Sequence, residues 1–95
     1  MRRIEWGLQA SHDLEDIADY YGQFDSALPE ALIIRIHGAA LPLIDNPELG
    51  SRMGYSDRRK WTARKTPFLL IYEVRRNIIF IVRVLDARSD WRSVL

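Results

Sequence analysis

The side chains best suited to chemistry in this sequence are basic and lie late in it: Lys60, Arg64, Arg83, Arg88 and Arg92, with Trp91 among them. Cations that converge on one surface stabilise negative charge, such as that developing on phosphate when RNA is cleaved without a metal. Such cleavage also needs a group poised for proton transfer, so that the 2′-hydroxyl can attack. The basic half holds no histidine, and the Trp91 indole neither gives nor takes a catalytic proton. A set of Lys60, Arg64 and Arg88 therefore supplies charge without an acid or base. The same residues also have a structural use. Arg83 can pair with Asp86 or with a carboxylate of the first helix, and Trp61 and Tyr72 suit a core.

Other chemistries drop out. The chain has no cysteine, which excludes disulfides and thiol chemistry and is compatible with a reducing compartment. His12 has no second His or Cys at metal-ligand spacing, and His37 reads as a helix-surface residue, so no metal and no cofactor is expected. Asp13, Glu15, Asp16 and Asp19 read as a solvated helix face near an N-terminus that favours negative charge. No phosphate-cradling glycine loop, nucleophile elbow or Ser/His/Asp set is present.

The net charge of +1 hides an asymmetry. Residues 1–50 hold three Lys/Arg against nine Asp/Glu, a balance of −6; residues 51–95 hold eleven against four, a balance of +7. This segregation points to an anionic partner for the second half, or to acidic helices docking on a basic sheet.

The elements that must position these residues centre on Pro67–Leu85. Two strands, Phe68–Arg75 and Ile78–Leu85, are rich in β-branched and aromatic residues and flank a tight turn at Arg76-Asn77, with Asn77 suited to positive φ. Pairing Arg75 with Ile78 puts Phe68, Leu70, Tyr72 and Val74 beside Ile79, Ile81, Arg83 and Leu85. The opposite face then carries Leu69, Ile71, Glu73 and Arg75 beside Phe80, Val82 and Val84. Neither face is polar, so one takes the helices and the other needs a further cover. A one-residue register shift exchanges the two.

Before this hairpin, Arg2–Trp6 alternates as a short strand with Ile4 and Trp6 inward, broken by Gly7. A helix follows over about 10–21, with Ser11 as N-cap and Gly22 as its stop. A second helix spans about 26–45. Pro29 suits its first turn, and its core stripe is Leu28, Leu32, Ile36, Ala39, Ala40 and Leu43. Ile34 and Leu41 lie off that stripe, and Pro42 should kink or tighten the last turn. Residues 51–59 read as polar loop and 60–64 as a third strand. The order is β-α-α-β-β-β: a single α+β domain over residues 1–95, two-layered, with an antiparallel sheet packed on an αα-hairpin. A chain of this length buries about 60–65 % of its unfolded surface, enough for one core. Arg2 and Arg3 are followed by no apolar run, which argues against a secretory signal, and no stretch reaches the roughly 20 apolar residues of a membrane helix.

Four stretches, IEWGLQASHDLEDIADYY, IDNPELGSR, FLLIYEVR and RVLDARSDW, together resemble the RelE/ParE toxin superfamily of bacterial type II toxin–antitoxin modules, in the family's order and over nearly the whole chain. The resemblance implies a cytoplasmic toxin without cofactor, neutralised by a cognate, DNA-binding antitoxin of the ParD kind and making no sequence-specific DNA contact itself. RelE-like members cut messenger RNA on the ribosome; ParE-like members are described as poisons of DNA gyrase. Against the nuclease pattern, Lys60 and Arg88 fill basic positions. Thr62, Leu69 and Trp91 stand where lysine, arginine and tyrosine are often found. The aliphatic strand and the RVLxxRxDW ending resemble ParE, with Asp86 where many such sequences have histidine. The implied target contacts are Arg83, Arg88, Trp91 and Arg92. The implied antitoxin contacts are Ile34 and Leu41, or the Leu69, Ile71, Phe80 and Val82 face. If the chain were instead a ribonuclease, Lys60, Arg64 and Arg88 would be its catalytic cations.

Overall fold

The computed structural model describes residues 1–54 and 56–94; Tyr55 in the polar loop and Leu95 at the end of the tail lie outside them. In chain order the elements are β1 (Arg3–Trp6), α1 (Leu8–Gly22), α2 (Leu28–Ala40), α3 (Pro42–Asp45), β2 (Ser51–Arg52), β3 (Arg59–Thr62), β4 (Phe68–Arg75) and β5 (Ile78–Asp86), then a 3₁₀ turn at Trp91–Val94. The strands form one sheet in the order β1-β5-β4-β3-β2. The helices lie on one face, as their apolar stripe requires: Leu32, Ile36 and Ala40 of α2 and Leu43 of α3 are buried in one core with Leu70, Tyr72, Ile79 and Ile81.

The two-layer α+β arrangement matches the sequence reading, with three corrections to the sheet. It is mixed rather than antiparallel, because β1 runs parallel to β5, Arg3 opposite Ile78 through Trp6 opposite Ile81. It has a fifth strand: Ser51–Arg52, within a stretch read as loop, pairs antiparallel with Arg59–Lys60. The third correction concerns the hairpin. Its expected register holds at Arg75–Ile78, but Tyr72 pairs with Ile81 while Ile71 pairs with Arg83, so Val82 is an extra residue in β5. Such a bulge shifts the alternation beyond it. Val84 therefore joins the helix-side core, and Leu85 joins Leu69 and Ile71 on the other face.

Local departures have equally local causes. The expected Ser11 cap is not formed: α1 begins at Leu8 with Gly7 as N-cap and no side-chain cap. Gly7 is required there, since a Cβ would lie 2.6 Å from Phe80 Cζ and 3.0 Å from the Ile81 oxygen. The second helix divides at Leu41. Pro42 has no N–H to continue the ladder, and the Leu41 N–H donates to the Gly38 carbonyl at 3.3 Å, a tightened turn. At the hairpin turn positive φ (50°) falls on Arg76 rather than Asn77.

Candidate functional site

The helix-free face of the sheet is covered by the chain's own tail. Leu69 and Ile71 of β4 and Leu85 of β5 form a second apolar cluster beneath Trp91, which is 7 % exposed, with Met53 and Val82 beside it. The tail is set by the Ala87 N–H, donating to Pro67 C=O at 2.8 Å, and by the Ser93 hydroxyl, donating to Asp90 C=O at 2.8 Å. Two of the expected antitoxin contacts, Leu69 and Ile71, are thereby buried, and Val82 is half-buried at the margin. Phe80 is half-buried, with the Arg75 guanidinium 4.0 Å from its ring centre. Ile34 and Leu41 stand free, 62 % and 58 % exposed.

Trp91 is an anchor here. The Arg92 guanidinium lies 4.3 Å from its ring centre and the Lys60 ammonium 5.6 Å, so the indole positions two cations through its π-face. With Arg52, Met53 and Gly54 they line a groove of about 370 Å³. Arg52, Lys60 and Arg92 form no ion pair among the described residues. Arg52 escaped sequence reading because it belongs to a two-residue strand whose place is set by pairing alone.

Arg83, expected among the target contacts, is instead tied into the fold. Its Nε and Nη2 donate to the two Asp13 carboxylate oxygens at 2.8 and 2.9 Å, and the Val84 N–H donates to Asp13 at 2.9 Å. The cause is geometric. β1 pairs with β5 only as far as Ile81, so beyond it the β5 edge needs an acceptor, and Asp13 supplies it. The Asp13 hydrogen bond holds the Arg83 guanidinium still more firmly protonated.

Arg88 stands elsewhere, 68 % exposed. Its Nε and Nη2 donate to the Asp86 carboxylate at 3.0 and 2.8 Å, and its N–H donates to Asp86 at 2.8 Å. The Tyr21 hydroxyl lies 3.4 Å from Nη2. Hydrogen bonds from Arg88 hold the Asp86 carboxyl below its ordinary range. Asp86, whose role the sequence left open, therefore orients Arg88 over a groove of about 320 Å³ shared with Asp16, Tyr20 and Phe68. Arg64 lines a third groove, of about 260 Å³, between β3 and the α2–α3 junction. Lys60, Arg64 and Arg88 thus line three separate grooves, and Lys60 shares its groove with Arg52 and Arg92. Among the described residues no group of three or more metal-ligating side chains forms.

Residues 4–91 match the family model for the ParE toxin of the type II toxin–antitoxin system, parDE. The chain belongs to this ParE toxin family. A relative in Caulobacter vibrioides, Toxin RelE2, is 31 % identical over 87 residues, covering 92 % of this chain and 97 % of its own. The ParE fold is also seen in a solved chain from the chromosomal ParDE system of P. aeruginosa, with a TM-score of 0.78 at 24 % identity, covering 88 % of this chain and 94 % of that one. The mixed five-stranded sheet and paired helices are therefore those of a ParE toxin. Among its described residues no helix is long and apolar enough to cross a membrane.

Proposed function

We propose that this ParE toxin acts without catalysis of its own, poisons DNA gyrase, and is neutralised by a ParD-like antitoxin. The observation that carries the reading is the dispersal of Lys60, Arg64 and Arg88 over three grooves. Charge stabilisation in a ribonuclease needs cations aimed at one phosphate, and this set is not. A binding surface has no such need. Arg92 and Lys60, held on Trp91, and Arg88, held by Asp86, are pre-oriented cations, and Arg is enriched at binding hot spots.

A second reading keeps a ribosome-dependent ribonuclease. It draws on the name of the Caulobacter relative, Toxin RelE2, and on the single groove that Arg52, Lys60 and Arg92 share. Amino-acid incorporation in the first minutes after induction of the chain alone separates the two. Continued synthesis with filamentous, DNA-damaged cells is expected, followed by inhibition of purified gyrase that Arg88→Ala with Arg92→Ala abolishes. An immediate halt in synthesis would reject gyrase in favour of the ribosome.

A further inference from the structure

Three arginines line one groove of about 360 Å³ near the β4–β5 turn: Arg2, just before β1, Arg52 of β2 and Arg59 of β3. Glu48 and Asp57 line it too, yet neither forms an ion pair with any of the three among the described residues.

Each arginine is held differently. Arg59 is fixed, because its Nη1 donates to Gly50 C=O at 2.7 Å and to Glu48 C=O at 3.3 Å. Arg52 is exposed and makes no ion pair among the described residues. Arg2 is half-buried and badly satisfied. Its Nη1 reaches Ile44 C=O only at 3.3 Å. Its Nε is the one buried side-chain nitrogen or oxygen without a partner among the described residues. A buried donor left unmet on a charged group is costly. Turning Arg2 into the groove removes that cost and aims its Nε and Nη2 fork there.

We propose that Arg2, Arg52 and Arg59 form a phosphate site, with Arg59 as the fixed member and Arg2 as the one that closes on the anion. The site does not depend on which target the toxin meets. A carboxylate has two oxygens, and a single guanidinium fork engages both. A phosphate group spreads its oxygens tetrahedrally, so guanidiniums arriving from three directions each find an acceptor. Glu48 and Asp57 repel any anion that does not engage the arginines closely. Two sources share this chemistry, a nucleic-acid backbone and a free phosphate. Arg52 also lines the groove of Lys60 and Arg92, so a backbone seated here runs on over those cations, and a free phosphate does not reach them.

The test titrates the full chain with sodium phosphate, and with sodium acetate at matched ionic strength, following the Nε–H signals of Arg2 and Arg59 by NMR. Phosphate shifts both signals saturably and acetate does not. Arg2→Gln and Arg52→Gln each weaken phosphate binding roughly tenfold, the loss of one charge-assisted contact, and leave Tm in place. Equal shifts with acetate, or wild-type phosphate affinity in both variants, overturn the proposal. A labelled DNA duplex of arbitrary sequence then separates the sources. Tighter binding than phosphate, lowered by Lys60→Ala with Arg92→Ala while phosphate affinity is unchanged, assigns the site to a backbone. Duplex binding no tighter than phosphate assigns it to a free phosphate.

Discussion

Two polar side chains, buried Tyr72 and part-buried Asp13, act as fasteners, and each serves main-chain groups that the fold would otherwise orphan. Tyr72 is fully buried; its hydroxyl donates to Pro47 C=O at 2.7 Å and accepts from Gly50 N–H. Burial, the largest influence, raises its pKa. Tyr72→Phe leaves one buried donor and one acceptor unmet and is expected to cost about 2 kcal/mol in urea unfolding. An unchanged midpoint would mean that the loop finds other partners. Asp13 does more, since it satisfies both Arg83 and the Val84 N–H. Asp13→Ala strands a partly buried guanidinium beside an unpaired amide, for a loss of about 3 kcal/mol. Asp13→Asn keeps an acceptor for Val84 and should lose less; equal losses would assign the whole effect to charge. At Asp86 the folded-state pKa is depressed, so its contribution is present above the usual carboxylate range and is lost as pH falls through the lower folded value. Between about pH 5 and 3 the wild type should therefore lose more stability than Asp86→Asn. Parallel pH profiles for the two proteins would dismiss the clamp.

At the level of elements, the sequence was readable where one physical signal dominated. The core stripe of the second helical stretch follows from helical spacing, and Leu32, Ile36 and Ala40 of α2 and Leu43 of α3 are all buried. The hairpin register at Arg75–Ile78 follows from its short turn. What stayed hidden depends on contacts distant in sequence. The Val82 bulge has no local marker, such as a glycine, and it sits where β1 stops pairing and Asp13 takes over the edge. The parallel β1 pairing is likewise set by how the helical crossover returns, not by the residues of β1. Arg88 could be named from sequence, but its clamp could not, because in sequence Asp86 is as available to Arg83 as to Arg88; in the fold Arg83 turns to Asp13 instead. The turn itself carries a testable strain. Arg76 holds a φ of 50°, which suits glycine at the first central position. Arg76→Gly should raise stability by about 0.5 kcal/mol, the relief of strain outweighing the added freedom of the unfolded chain. A lower Tm would place the Arg76 side chain among the contacts that hold the hairpin.

For the whole molecule, the division into an acidic half and a basic half is not used up internally. Of the salt bridges among the described residues, Asp13–Arg83 joins the halves, while Glu73–Arg75 and Asp86–Arg88 lie within the second. Arg52, Lys60 and Arg92 are left on the helix-free face, opposite the layer that carries Glu15, Asp16 and Asp19. This arrangement favours an anionic partner over simple docking of helix on sheet. Trp91 covers Leu69, Ile71 and Leu85 on that face, so the tail has a structural role, from which mutation can separate the binding role proposed for it. Trp91→Ala should cost about 3 kcal/mol, roughly 15 °C in Tm, because it uncovers apolar sheet and leaves a cavity. It should also raise binding of a hydrophobic dye, so its loss of toxicity would reflect folding as much as contact. Trp91→Phe keeps most of the cover and a ring for Arg92, and should keep most of the toxicity. Arg92→Ala with Lys60→Ala should leave Tm within a few degrees of wild type, as expected of surface residues, and yet reduce toxicity. If Trp91→Ala melts like the wild type, the indole is not what holds the sheet face closed. If the double cation variant is fully toxic, the groove around Trp91 is not where the target is met.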